Sequence, residues 1–258
     1  RAAPEQFAAQ ADFPVEPSPF CKAAFVVHQP DFKPGRHPYH HAGVFYSQEP
    51  SASSAAPLLG VQPGMRVLDL CAAPGGKTVL LAEQMQGTGE LYSCDAAENR
   101  VGLIRTAVDR IGFTGVHTLC NDATKPNPAL PMADRILTDV PCSGLGILAK
   151  KPDLRYKKLE AARQAELLAT QAAILDTAAA LLKAGGRLVY STCTIDPAEN
   201  QQQIAAFLQR HPEFAVCAPE VPLPAGMRRT RAIAFFLLPV PQNCNFFFKF
   251  ALAMVIPH

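Results

Sequence analysis

Cys142 and Cys193 are the residues of this chain whose setting most invites chemistry. Each stands just beyond an apolar run, Cys142 in Asp139-Val140-Pro141-Cys142-Ser143-Gly144 and Cys193 in Tyr190-Ser191-Thr192-Cys193-Thr194. A single cysteine at a strand end is most often a small buried hydrophobe. Two of them at neighbouring strand ends, facing one pocket, point instead to covalent catalysis by a thiolate. The eight cysteines contain no C-x-x-C pair, so neither a zinc ribbon nor a dithiol redox motif is expected, and no metal site is assigned.

The second feature with chemical content is Val67-Leu68-Asp69-Leu70-Cys71-Ala72-Ala73-Pro74-Gly75-Gly76-Lys77-Thr78. An apolar run leading into a Gly-Gly turn and then a helical pattern reads as a buried parallel strand, a tight loop and a helix start. Glycines let a ligand approach the backbone, and the helix start offers free N–H groups. The spacing is neither Gly-x-Gly-x-x-Gly nor a Walker loop, because Gly75 and Gly76 have no glycine about five residues upstream. An uncharged loop after Asp69 suits a cationic, phosphate-free nucleoside such as S-adenosylmethionine, whose amino group an acidic residue can hold. The predicted cofactor loop is Cys71, Ala72, Ala73, Pro74, Gly75, Gly76 and Lys77. Further acids follow successive strands and read as one shared nucleoside site: Asp95 for the ribose hydroxyls, Asp122 for the adenine edge, and Asp139, a third cofactor-binding acid.

The elements that must position these groups alternate regularly. Strands are predicted near 66–70, 90–94, 116–120, 135–138 and 187–191, with helices between them. The longest helix is predicted over 159–183, ending on Lys183-Ala184-Gly185-Gly186 as a basic last turn followed by glycine. Asp196-Pro197-Ala198-Glu199 reads as a helix start just after Cys193, with Asp at the N-cap and Glu at the third position. The fold class is therefore α/β, a Rossmann-like, doubly wound, mostly parallel sheet, and 258 residues suffice for one such domain with appendages.

Residues 1–60 are expected to be a partial N-terminal RNA-binding or linker subdomain, 61–220 the sheet domain, and 221–258 an apolar tail forming edge strands. The proline-rich start reads as loops and short strands, with His37, His40 and His41 as solvated loop residues rather than metal ligands. Small residues over 46–59 predict a short helix lying under the cofactor. No run of about 18 apolar residues lacks charges or breakers, and no basic-then-apolar leader opens the chain, which predicts a monomeric cytoplasmic protein with no membrane partner. The net charge is only +2, but it is clustered. Lys150, Lys151, Arg155, Lys157 and Lys158 fall within nine residues around Tyr156, just after the Cys142 loop. At the rim of a site this reads as a phosphate clamp with an aromatic for stacking, hence an RNA partner.

Taken together, the stretches 67–78, 139–146 and 190–200 resemble the motifs of the RNA cytosine-C5 methyltransferases, the Sun/RsmB and Nop2/NSUN superfamily. The resemblance runs over about 40–215 in the same order. Residues 145–156 are most similar to the bacterial RsmB branch, which modifies small-subunit ribosomal RNA, while 46–50 look more like the RsmF branch. The tail beyond Met227 departs from the family's usual closing hairpin. The resemblance implies formation of 5-methylcytosine, with Cys193 as the nucleophile that adds to C6, Cys142 assisting release, and Asp139 bonding the ring near N3. Three other readings are a catalytically silent RNA-binding or ribosome-assembly factor, a methyltransferase for protein or small molecules, and a dinucleotide oxidoreductase. The paired cysteines argue against the first two and the glycine spacing against the third.

Overall fold

The computed structural model describes residues 4–18, 21–148, 150–156 and 160–217, together with the backbone of 233–239. A central sheet carries seven strands: β1 (Arg66–Asp69), β2 (Glu90–Asp95), β3 (Val116–Cys120), β4 (Ala133–Asp139), β5 (Leu182–Thr192), β6 (Phe214–Val216) and β7 (Ile233–Pro239). Their order across the sheet is β3-β2-β1-β4-β5-β7-β6. The first five run parallel, and β7 is antiparallel to both β5 and β6. The order reverses at β1, which opens a crevice outside the strand carboxyl ends.

Strict alternation explains why the sheet has helices on both faces. Leu68, Ile136, Leu188 and Tyr190 point into one core, with Ile174 and Leu175 of α4 (Ala161–Leu181) and Ile204 and Phe207 of α5 (Gln201–Arg210). Their sequence neighbours Val67, Leu137 and Val189 point into the other, with Ala56 and Leu59 of α1 (Ala55–Leu59) and Leu80 and Leu81 of α2 (Gly76–Gln84). Burial on both faces needs apolar residues at consecutive positions, which is why Val67-Leu68, Ile136-Leu137 and Leu188-Val189-Tyr190 at the centre of the sheet read as apolar runs. A further helix, α3 (Glu98–Ile111), packs Ile104 and Val108 against Ala72 of the loop after β1.

Three expectations are corrected. The long helix ends at Leu181, with Leu182 already extended and paired to Ala133, so Lys183 is not in its last turn. Lys183 Nζ instead bonds Asp134 Oδ1 at 2.8 Å, and an ion pair across two strands displaces the expected interaction with the helix terminus. In the tail, β7 inserts between β5 and β6, one place inside the expected edge; the Phe246-Phe247-Phe248 run lies outside the described residues. His37 is not solvated. It packs among Phe13, Phe32 and Phe45, accepts a hydrogen bond from Tyr39 N, and lies 3.2 Å from Asp12. The short helix expected over 46–59 condenses to α1, preceded by a 3-10 turn at Pro50–Ser53.

Candidate active site

The loop after β1 is held tightly at both ends. Ala72 N donates to Cys94 O at 2.8 Å, and Gly75 adopts φ +109°, where a Cβ would lie 3.3 Å from Ile104 Cα and 3.2 Å from Ala107 Cβ. A Cβ on Gly76 would lie 2.9 Å from Gln48 Oε1 and 3.0 Å from Tyr46 Cε1, so the 46–48 segment closes over the same turn. Gly75 is held to glycine by its positive φ with the α3 backbone close by, whereas a side chain at Gly76 would have to displace the Gln48 amide and the edge of the Tyr46 ring. Asp69, at the end of β1, is fully buried and accepts from Thr78 Oγ1 at 3.0 Å, while its Oδ1 has no partner. Burial pushes its carboxyl up to about 7, against the opposing pull of Thr78 and Lys77.

Asp95 closes β2, also buried, with Ala97 N at 3.3 Å and the Arg100 guanidinium at 3.4 Å. Asp122 follows β3, but its carboxylate is committed to Thr124 N, Thr124 Oγ1 and Lys125 Nζ, which hold its pKa down to about 2. The buried polar atom without a partner at this strand end belongs to Asn121, whose Nδ2 is orphaned while its Oδ1 accepts from Asn127. The sequence pattern favours the acid of the Asn-Asp pair; the amide is the better placed donor. An acceptor at Asp69, a buried carboxylate at Asp95, an unused donor at Asn121 and a glycine cradle match an amino-acid ammonium, a ribose diol and an adenine acceptor. The donor set therefore fits S-adenosylmethionine.

Beyond β4 and β5 the two predicted thiols meet. Cys142 Sγ and Cys193 Sγ are 3.2 Å apart, and Cys193 N donates to Cys142 Sγ at 3.4 Å. Gly146 N donates to Cys193 O at 3.0 Å, lacing the loops together. Asp139 Oδ1 accepts from Ser191 Oγ at 2.6 Å and its Oδ2 lies 2.8 Å from Lys77 Nζ. The hydrogen bond from Cys142, aided by the Lys77 charge, holds the Cys193 thiol below its ordinary value despite burial and the Asp139 charge. The same bond and burial push Cys142 well up. These opposite directions make Cys193 the more acidic thiol of the pair. Cys71 is different: burial and the surrounding acids raise it well above the ordinary range, so it is an inert wall of the loop.

The predicted helix start after Cys193 keeps its Asp196 cap and its Pro197 at the first position but differs in form and in the role of Glu199. Pro197–Glu199 is a 3-10 turn capped by Asp196, which accepts from Ala198 N. Glu199 does not turn back to the cap; its buried carboxylate accepts from Ser143 N at 2.9 Å, from Ser143 Oγ, and from Gln171 Nε2 at 2.9 Å. In the basic segment, Lys150 is ion-paired with Glu49, whereas Lys151, Arg155 and Tyr156 are exposed. Tyr156 is 87% exposed, whereas the other described Phe and Tyr side chains are buried or half-buried. Lys157 and Lys158 lie outside the described residues.

Comparison with known proteins identifies the family and the fold. The family model described as 16S rRNA methyltransferase RsmB/F matches residues 56–253, and that of the N-terminal domain of 16S rRNA methyltransferase RsmF matches residues 1–50. A probable ribosomal RNA small subunit methyltransferase B of Synechocystis sp. is 44% identical over 174 residues, which is 67% of this chain and 39% of that protein. The chain thus spans less than half the length of this relative. Among solved structures, PH0851 superposes with a TM-score of 0.78 at 31% identity, over 92% of this chain and 56% of that one. NSun6 from Pyrococcus horikoshii, crystallised with SFG, shares the fold at a TM-score of 0.71 and 24% identity, over 85% of this chain and 60% of its own.

Proposed function

The chain belongs to the 16S rRNA methyltransferase RsmB/F family, whose cofactor is S-adenosylmethionine, and on that premise we propose that it methylates C5 of a cytosine in small-subunit ribosomal RNA. The observation that carries the reading is the thiol pair, Cys193 Sγ 3.2 Å from Cys142 Sγ, beside the Asp139–Lys77 ion pair. When bound in the cradle of Gly75 and Gly76, with Asp69, Asp95 and Asn121 around it, the cofactor supplies an electrophilic methyl group on sulfonium.

C5 of cytosine is a poor nucleophile, and the protein's task is to change that. The Cys193 thiolate adds to C6, and the electron pair of the 5,6 double bond moves into the ring, leaving C5 nucleophilic. Asp139, kept an acceptor by Lys77 and Ser191, takes a hydrogen bond from the protonated N3 and stabilises the adduct as charge develops. Once C5 carries the methyl group, its proton passes to water, the C5–H electron pair re-forms the 5,6 double bond, and the C6–S electrons return to sulfur. Cys142 donates its S–H to the departing Cys193 sulfur, along the hydrogen bond that already joins the two. The target base has to leave its stack to reach these groups, and Lys151, Arg155 and Tyr156 stand exposed on the loop that follows Cys142 to hold the flanking RNA.

The test separates the two thiols. With unmodified small-subunit ribosomal RNA and S-adenosylmethionine, Cys193→Ala abolishes 5-methylcytosine and forms no covalent RNA complex. Cys142→Ala traps a complex that survives denaturing electrophoresis, and the double variant traps none. Accumulation of the adduct by Cys193→Ala would reverse the roles and sink the assignment.

A further inference from the structure

Glu199 is fully buried and bonds the loop that carries Cys142. Its carboxylate accepts from both Ser143 N and Ser143 Oγ, the residue after Cys142. Gln171 of α4 bridges from the other side: its Nε2 donates to Glu199 Oε2 at 2.9 Å and to Pro141 O at 2.9 Å, the residue before Cys142. Cys142 is therefore clamped on both flanks by one buried carboxylate and the amide that fills it. Further bonds fix Glu199 itself. Tyr190 Oη donates to Glu199 O at 2.7 Å, and Asn200, next in sequence, bonds Thr192 Oγ1 and the carbonyls of Thr194 and Asp196, which frame Cys193. Ser143 Oγ also meets Thr194 Oγ1 at 2.8 Å, closing the ring between the two cysteine loops.

We infer that Glu199 is the positioning residue that sets the distance between Cys142 and Cys193, and thereby the release step, in the reaction proposed above. A buried carboxylate filled by neutral donors is costly to keep unless its geometry matters, because each donor is fixed by the bond it makes. Burying an apolar residue there would pack the core as well but would leave Ser143 N and the Cys142 loop unheld. The consequence is specific: without the carboxylate, Cys193 still adds to C6, since its thiolate is also supported by Lys77, while Cys142 no longer stands ready to donate to the departing sulfur.

The inference rests on the proposed reaction for its role in release, and one measurement tests it independently of that reaction. In the protein without RNA or cofactor, diamide takes two electrons and two protons from Cys142 and Cys193 to close a disulfide, followed by peptide mass mapping. Glu199→Gln places an amide N–H among donors, and closure slows at least tenfold while S-adenosylmethionine affinity and thermal unfolding change little. With RNA, the same variant accumulates the denaturation-resistant adduct as Cys142→Ala does, lowering kcat with KM for RNA unchanged. Should Glu199→Gln fail to fold, Gln171→Leu removes the bridging amide, keeps the carboxylate and is held to the same readouts. Wild-type rates of disulfide closure in these variants would overturn the inference. If Cys142→Ala traps no adduct, the proposed reaction fails instead, and the disulfide rate alone decides the role of Glu199.

Discussion

Lys77 Nζ stands 2.8 Å from Asp139 Oδ2 and joins the loop after β1 to the end of β4. Burial works against the lysine's charge, but the Asp139 carboxylate outweighs it and keeps the ammonium protonated above its ordinary range. The pair thus fixes a cation whose charge is felt at Cys193.

Removing that cation should make Cys193 a weaker thiolate. Its pKa lies below the ordinary thiol value through the Cys142 hydrogen bond and then the Lys77 charge, so Lys77→Met moves it upward. The acid limb of the pH profile for alkylation of Cys193 by iodoacetamide is expected to shift to higher pH, and methylation near neutrality to fall. An unshifted profile would show that the lysine charge is not felt at the sulfur.

Asp69 gives a stability signature. Its pKa rises from 3.8 unfolded to about 7 folded, so between these values the folded state binds the extra proton. Stability from this group is complete below pH 4 and is lost as pH rises through 7. The shift of roughly 3 units corresponds to an upper bound of about 4 kcal/mol. In urea titrations without cofactor, the difference in stability between wild type and Asp69→Asn should change in Asn's favour as pH climbs from 4 to 7; a constant difference would exclude a buried, proton-binding Asp69.

Asp95 is buried at the end of β2 with one backbone and one guanidinium partner. If it holds the ribose, Asp95→Ala leaves those hydroxyls unpaired and weakens S-adenosylmethionine binding by about 1 to 3 kcal/mol. Asn121→Leu should weaken it comparably, whereas Asp122→Ala, whose carboxylate serves Thr124 and Lys125, should change it little. Calorimetry of the three variants ranks them, and a dominant loss at Asp122 would return the adenine edge to that acid.

What the chain reveals in one dimension depends on how local each signal is. The central parallel strands are legible because two-sided burial makes consecutive positions apolar, as in Val67-Leu68 and Leu188-Val189-Tyr190. Cys142 and Cys193 are legible because strand ends in such sheets converge, and the glycine loop because a missing Cβ has a visible cause. Glu199 reads as a cap residue in sequence because its true partner, Ser143, is 56 residues away and no local pattern marks it. Asn121 is overshadowed by its charged neighbour, since only burial distinguishes an orphaned amide from a solvated acid. Lys183 resembles a helix terminus until its partner on β4 is known.

The basic segment after the Cys142 loop divides into residues with different expected effects on RNA. Lys150 already pairs with Glu49, so a phosphate has to displace a carboxylate to use it. Lys151 and Arg155 are exposed. Removing one phosphate-neutralising charge lowers the slope of log affinity against log salt by about 0.7 to 0.9, so Lys151→Ala and Arg155→Ala should each flatten it by that amount. Lys150→Ala should flatten it less, and Glu49→Gln should steepen it by freeing Lys150. Tyr156→Ala removes a stacking surface rather than a charge, so it should cost about 1 to 3 kcal/mol with the slope unchanged. Fluorescence anisotropy over a salt series measures all five, and slopes equal to wild type for Lys151→Ala and Arg155→Ala would reduce the segment to a solvated face.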